Sequence, residues 1–543
     1  MEDQLARSAP AAAGDSLDDE TRGRIDAIFA EWTRPGSPGC ALTVTLAGRT
    51  VHKGGYGLAN LEYGIPITPS TVFHVASVSK QFTAYATLLL AREGRLSLDD
   101  EVRKHLPWVP DLGAEITLRH LMHHTSGIRD QWEMVRFAGW RMDDVISQEH
   151  LLSMVGRQRD LNFPPGSEHL YCNTGYTLLA ETVAAVSGRT FREFTAERIF
   201  RPLGMNSTFF FTDHEELVTG RAYSYANDGA GGFKKSVLSF ANAGATSLFT
   251  TADDLAKWLL HLDSIEGSQE AREMQTCFTL TGGETIAYAA GLSVETFRTL
   301  RRVGHSGSDA GFRSYCGRFP DQQLGIAVLA NLGSMDPDGL AMKVAEVLLG
   351  GKMPAPDRES PGAGTPVADL APYTGSYVTL FMGIRVEVAQ AGGHLVLKIG
   401  DMGERRLVPA RQDTFWTAEM GEVTFHREGE TVDAISSTGL KARRIQPPLP
   451  PAEAGCYVGD YYSAELDTTY RIRTRGLEIT VEHQRLPCTP LVPVGKDQLQ
   501  ADRRGGGLLA FDRDACGQVT GFRLSGGRCR NLRFHRVAEF RLL

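Results

Sequence analysis

The sequence predicts an α+β fold: an antiparallel sheet flanked by helices, with a helical cluster beside it, followed by two small antiparallel β-barrels. Three observations lead there. Strand patterns open and close the first 350 residues, while helix patterns fill the middle. Two segments dense in Pro and Gly divide the rest of the chain. The stretches that follow these two segments begin alike, as an internal repeat would.

Residues 1–20, rich in Ala, Ser and charge, are expected to be disordered. A helix is expected from near Asp18 through RIDAIFAEW, whose apolar residues recur at helical spacing. CALTVTLAGRTVHKGGYG reads as two strands joined by a turn at Ala47-Gly48. Ser77 to Arg92 is a helix pattern with Gly94 as its stop. Residues from about 100 to 265 mix helices and loops. Strands return in IAYAAGLSVETF, TLRRVGHSG, GFRSYCGRFP and LGIAVLANL, and GLAMKVAEVLLG closes the unit as a helix. The first and last strands are expected to share one sheet, which makes residues 21–350 one catalytic unit.

KMPAPDRESPGAGTPVADL, residues 352–370, reads as a linker, and QPPLPPAEAG, residues 446–455, as a stiffer one. The two barrels are expected over 370–445 and 455–543. Tyr373-Thr-Gly-Ser-Tyr377 opens the first and Tyr457-Val-Gly-Asp-Tyr461 the second. Each closes on a basic strand, KARRI and NLRFH. A repeat of about 85 residues suffices for one small closed barrel.

The composition is ordinary for a globular protein, with 42% hydrophobic and 22% charged residues over 543 positions. A net charge of -8 argues against a nucleic-acid partner, which needs a clustered basic face. No apolar run reaches the roughly 18 residues of a membrane span. The N-terminus MEDQLARSAPAAAGDS lacks the apolar core of a secretory signal. A cytoplasmic location without membrane contact is therefore expected, and with it free thiols, the alternative being a disulfide among Cys456, Cys488, Cys516 and Cys529. No C-x-x-C pair offers zinc-site spacing.

Three elements carry chemistry. Ser77-Val78-Ser79-Lys80 is an S-x-x-K tetrad at a helix start, where residues three apart meet on one face. A serine is a poor nucleophile until a base takes its proton, and a lysine can be that base only if burial or nearby charge lowers its pKa. Alone, such a tetrad arises by chance roughly once or twice in a chain of this length. Tyr171-Cys172-Asn173 follows the turn Pro164-Pro165-Gly166 and precedes a helix pattern. Its phenol can pass a proton to a leaving group, its ionisation eased by Lys80, and the Asn173 amide can bond both Lys80 and a substrate carbonyl. A second Y-x-N, Tyr225-Ala226-Asn227, runs into the loop DGAGG and is set aside. The third element is His305-Ser306-Gly307 on a strand. Gly307 is expected to let substrate approach the strand edge, and the backbone N–H of Ser308 to complete an oxyanion hole with that of Ser77.

Taken together, S-x-x-K, Y-x-N and H-x-G resemble the motif set of the serine β-lactamases and penicillin-binding proteins, in the branch that uses a tyrosine. LRHLMHHTSGI, ERIFRPLGM and GATSLFTTADDLAKW look like the connecting segments of that branch over residues 20–350. His123-His124 then belongs to a helix-to-loop junction rather than to a metal site. Within the branch, SVSKQFT, PGSEHLYCN, the H-x-G strand and a two-barrel tail are similar to the bacterial D-aminopeptidases. The resemblance implies a β-lactamase-like domain and an acyl-enzyme on Ser77. It also implies hydrolysis of amides with an N-terminal D-residue. In that family a loop of the last barrel enters the cleft and an acidic residue on it holds the substrate amine. Leu499 to Leu508, with Asp502, is the stretch expected to correspond, although it looks short and carries two arginines. His305 departs from the lysine of the K-T-G pattern.

The expected function is thus a serine hydrolase, a D-stereospecific aminopeptidase or amidase. A carboxylesterase or a DD-peptidase or β-lactamase-like hydrolase on the same scaffold is the alternative, ahead of an idle binder of peptidoglycan fragments. Ser77, Lys80 and Tyr171 are the expected catalytic residues, and Asn173, His305, Gly307 and Ser308 the substrate-binding ones. The chemistry needs no metal or organic cofactor. The expected partner is a small molecule or short peptide, with a homodimer as the expected assembly.

Overall fold

A computed structural model describes residues 17–353 and 367–537, apart from 368, 381, 401, 439 and 504. The linker expected at 352–370, and residues 1–16, lie largely or wholly outside that range. The chain does not stay irregular to residue 20: Asp18 caps a helix over Asp19–Ile28.

Six antiparallel strands form the central sheet, in the order Ser293–Phe297, Leu300–Asp309, Phe312–Phe319, Leu324–Ala330, Cys40–Leu46, Arg49–Tyr56. The first strand in the sequence pairs with the last, Cys40 opposite Ala330 and Leu46 opposite Leu324. The central Leu324–Ala330 strand is buried on both faces. Its alternate side chains split accordingly. Ile326 and Val328 pack with Phe29 and Val344 beneath the terminal helices, while Ala327 and Leu329 pack with Phe82 and Trp258 on the other face. Ala47 and Gly48 both have positive φ at the first hairpin, the geometry that matches strand twist. The run IAYAAGLSVETF is a strand only over Ser293–Phe297, because a tight turn between Ala289 and Leu292 interrupts it.

Each barrel is a closed ring of eight strands, spanning Gly375–Thr379 to Leu440–Arg444 and Gly459–Ser463 to Cys529–Val537. They share one internal network. Tyr373 donates to Asp413 at 2.8 Å and Tyr377 to the Tyr373 carbonyl at 2.9 Å. In the second barrel Tyr457 donates to Asp497 at 2.9 Å and Tyr461 to the Tyr457 carbonyl at 2.7 Å. Both aspartates sit at positive φ and each takes an arginine, Arg427 or Arg513. This duplicated lock explains why the two Tyr-x-x-x-Tyr openings look alike.

The second barrel is fused to the helical cluster rather than tethered to it. Trp132, Phe137 and Phe240 share one apolar core with Tyr470, Phe522 and Phe534. Arg129, fully buried, donates to Glu465 of the barrel at 2.6 Å and to the Arg530 carbonyl at 3.0 Å. All eight cysteines are free thiols. Among the described residues no helix is long and apolar enough to cross a membrane.

Removing one partner of a buried ion pair strands the other charge, at a cost of about 3–5 kcal/mol. Arg129→Met is therefore expected to destabilise the whole chain by roughly that amount, read from urea unfolding. A loss below about 1 kcal/mol would show that the interface does not depend on this pair.

Candidate active site

Ser77 sits on a single 3₁₀ turn, Ala76–Val78, that feeds the buried helix Ser79–Arg92. The helix proper thus starts two residues later than the pattern suggested. Ala76 has a φ of 47°, a left-handed conformation that is strained for a residue with a side chain. The surrounding structure holds the turn there. Ser314 donates to the Val75 carbonyl at 2.7 Å, Ser79 donates to the Ala76 carbonyl at 2.5 Å, and the Leu248 amide donates to Ser79 at 3.1 Å.

Lys80 is completely buried. Its Nζ lies 3.0 Å from Ser77 Oγ, 2.8 Å from Asn173 Oδ1 and 2.7 Å from the Ala245 carbonyl. Burial outweighs the nearby Asp309 and Asp130 carboxylates and brings its pKa down to about 7. In the amine form, Asn173 and Ala245 take both N–H bonds. The lone pair is then left to accept from Ser77, which is what a base beside a nucleophile must offer.

Tyr171 is also in place. Its hydroxyl is buried and has no hydrogen-bond partner among the described residues. Lys80 Nζ lies 4.9 Å from the centre of its ring. Burial raises its pKa, and the neighbourhood of Ser77 and Arg528 offsets this only in part. The expectation that Lys80 would ease its ionisation is corrected here: Tyr171 is a phenol at rest, suited to donate.

Asn173 is fixed by Asp130, a buried helix cap that the motif pattern does not single out. Asp130 Oδ2 accepts from the Asn173 backbone N at 2.6 Å and from its Nδ2 at 2.9 Å. The amide oxygen therefore faces Lys80, and one N–H of Nδ2 remains for the cleft.

The His305 strand lies beside Ser77. Its neighbour Ser293–Phe297 pairs with it only as far as Gly304. Residues 305–309 are thus an open edge, with Ser308 exposed on it. Gly307 lines the cleft, and it also has a packing reason: a Cβ there would lie 2.3 Å from the Val75 carbonyl and 2.4 Å from Ser314 Oγ, so glycine lets the strand press on the Ser77 turn. His305 bonds not to Tyr171 but to Tyr288, with its Nε2 3.0 Å from that hydroxyl and its Nδ1 2.5 Å from the Ser306 carbonyl. The carbonyl requires the proton on Nδ1, so Nε2 accepts from Tyr288. Burial and then Lys80 push the His305 pKa down to about 3, and the ring is neutral.

The cleft at Ser77 has a volume of about 430 Å³ and is walled by Trp132, Met142, Thr246 and Asp309 as well as Ser77, Tyr171, Asn173, His305, Gly307 and Ser308, while the buried Lys80 does not line it. The second barrel contributes Arg528, from the hairpin before Cys529. The Leu499 to Leu508 stretch, by contrast, does not line it among the described residues. Asp502 there pairs with Arg385 of the first barrel, and Gly505 packs behind Arg136. The other Y-x-N is structural: Tyr225 is buried and accepts from the Leu61 amide at 2.9 Å. His123 is held by the Arg119 and Thr276 carbonyls, and His124 by the backbone of Cys172.

A serine hydroxyl on a strained turn, a buried amine 3.0 Å from it and a buried phenol beside them are an arrangement that fits a serine hydrolase. Residues 25–350, more than half of the chain, match the Beta-lactamase family, and the chain belongs to that family. The D-aminopeptidase of Brucella anthropi is 26% identical over 518 residues, covering 92% of this chain and 96% of that protein. The D-aminopeptidase of Cereibacter sphaeroides is 26% identical over 517 residues, covering 92% and 96%. Among solved structures, the octameric penicillin-binding protein homologue from Pyrococcus abyssi aligns with a TM-score of 0.55 at 25% identity, over 86% of this chain and 99% of that one. The D-amino acid amidase of Ochrobactrum anthropi SV3 shares the fold, with a TM-score of 0.53 at 24% identity, over 62% of this chain and 100% of that one.

With Lys80 as base, kcat/KM on a neutral ester should rise with pH through about 7 as the ammonium loses its proton. His305, neutral above about 3, cannot produce that limb. Lys80→Met should abolish the limb and cost about 10²–10⁴-fold. A limb that persists in the variant would assign the base elsewhere.

Proposed function

We propose that the protein hydrolyses amides of N-terminal D-amino acids through an acyl-enzyme on Ser77. The observation that carries this reading is the charge arrangement at the open strand edge. A neutral His305 stands where related enzymes place a cation, and two residues past Gly307 the Asp309 carboxylate lines the cleft. Asp309 Oδ2 is taken by His74 at 2.9 Å and by Thr246, while no partner is found for Oδ1 among the described residues. That oxygen suits a free α-amine and repels a carboxylate. Glu133, the other acid in the wall, is already bound by Arg136 and approached by Arg528. The 26% identity to D-aminopeptidases along nearly the whole chain supports the same reading.

The steps follow from the positions. The scissile carbonyl enters between the Ser77 and Ser308 amides, whose N–H groups stabilise the developing oxyanion. Ser77 Oγ attacks and its proton passes to Lys80. Tyr171 protonates the leaving amine and is restored by the proton on Lys80. Water then cleaves the ester by the reverse route, its proton passing through the same pair. Small amides and short peptides are the substrates, and no step calls for a metal.

D-alanine p-nitroanilide should be turned over in preference to its L-enantiomer and to a short-chain nitrophenyl ester, and benzylpenicillin only poorly. An enzyme that favours the ester, or a peptide acid over its matched amide, would refute the aminopeptidase reading. Asp309→Asn should lower kcat/KM about 10–100-fold more for a free D-aminoacyl amide than for its N-acetylated form, the worth of one charge-assisted hydrogen bond. Measurement at pH 8.5 keeps Lys80 an amine in both proteins, since losing the carboxylate can only lower its pKa further. Equal losses on the two substrates would remove Asp309 from amine recognition.

A further inference from the structure

The second barrel reaches the catalytic base through an unbroken run of polar contacts. The hairpin between Val519–Gly526 and Cys529–Val537 lies on the start of the Gln131–Phe137 helix. Gly527, at a φ of 54°, is pressed so close that a Cβ would lie 2.4 Å from Glu133 Oε1. The Arg528 carbonyl accepts from Asn162 Nδ2 at 3.0 Å, and Cys529 Sγ donates to the Asp130 carbonyl at 3.5 Å. So seated, the hairpin brings Arg528 Nη2 to 3.2 Å from Asp130 Oδ1 and Nε to 3.7 Å from Glu133 Oε1. Asp130 is fully buried, and its other oxygen holds both nitrogens of Asn173. Asn173 Oδ1 in turn lies 2.8 Å from Lys80.

We propose that Arg528 is a positioning residue of the catalytic centre: it holds the Asp130 carboxylate so that the Asn173 amide can present only its oxygen to Lys80. The physical reason is the polarity of the amide. Rotated by half a turn, Asn173 would set N–H against the Lys80 ammonium and C=O against the carboxylate, two repulsive contacts in place of two attractive ones. That discrimination needs the Asp130 carboxylate held and aimed. A carboxylate buried this deeply has to be paired and hydrogen-bonded. The Trp132 and Glu133 amides supply the donors at 3.1 and 3.4 Å, and Arg528 supplies the cation. The catalytic centre is then complete only with the second barrel seated.

The inference rests on Ser77 and Lys80 as nucleophile and base, so the test reads acylation of Ser77 by p-nitrophenyl acetate, which needs no aminoacyl specificity. In the full chain, Arg528→Met should slow the acyl burst about 10–100-fold at pH 7. Its acid limb should move to higher pH, because a cation that lowers the Lys80 pKa is lost. The other groups facing Lys80, namely Asp309, Cys172, Tyr171, Tyr176, His124 and His305, are unchanged in the variant. Arg528→Lys should keep most of the rate and the native limb, and methylguanidinium should partly restore Arg528→Ala. A folded Arg528→Met with native rate and limb overturns the proposal. So do equal losses in the Lys and Met variants without rescue of Ala. If Arg528→Met does not fold, the Lys variant and the rescued Ala variant decide the question: retained rate and rescue support the positioning role, and their joint absence overturns it. A native protein that fails to acylate at all would instead refute the nucleophile and base assignment.

Discussion

The complete burial of the Lys80 side chain is the constraint around which the catalytic unit is arranged. An amine sealed from water loses most of its preference for the charged form, and its three acceptors decide where the lone pair points when the proton leaves. Each acceptor comes from a different part of the chain. Ser77 is held by a strained turn, Ala245 belongs to the loop before the Leu248–Thr250 strand, and Asn173 begins a helix of the adjoining cluster. The sheet, the cluster and the loop must therefore be assembled together before the Lys80 amine has its three partners. The same burial leaves Tyr171 protonated and His305 neutral, so one desolvated pocket sets the protonation of three groups at once.

The carboxylates around this pocket divide the work by what already occupies them. Asp130 is consumed by Asn173, by helix amides and by Arg528, and Glu133 by Arg136. Asp309 gives one oxygen to His74 and Thr246 and keeps the other toward the cleft. Charge alone would not distinguish the three. The hydrogen bonds already made do, and they leave Asp309 as the cleft acid with an oxygen unclaimed among the described residues, the group proposed above to take the substrate amine.

The two barrels, although built on one Tyr–Asp–Arg lock, have different neighbours. The first meets the second through Arg443 with Gln498, at 2.6 Å, and the Gly505 amide with the Met382 carbonyl, at 2.7 Å. The second is welded to the cluster by a shared apolar core and by the buried Arg129–Glu465 pair. Of these two like units, the second supplies Arg528 to the wall of the cleft.

Elements whose information is local could be read from the chain alone. The tetrad at Ser77 and Lys80, the Y-x-N at Tyr171 and Asn173 before a helix, the His305 strand and the repeated tyrosines are all short-range patterns, and each falls where a strand or helix period places it. Folding in three dimensions settled the rest, because it concerns groups that meet across long stretches of chain. Nothing in the sequence singles out Asp130 or Arg528, and Tyr288 reads there as part of a strand that proves to be a turn. Asp502 looked the more promising acid, until the fold paired it with Arg385. The protonation of Lys80, Tyr171 and His305 was also beyond the sequence, because it follows from how much water the folded chain excludes from each group, and no spacing of residues encodes that directly.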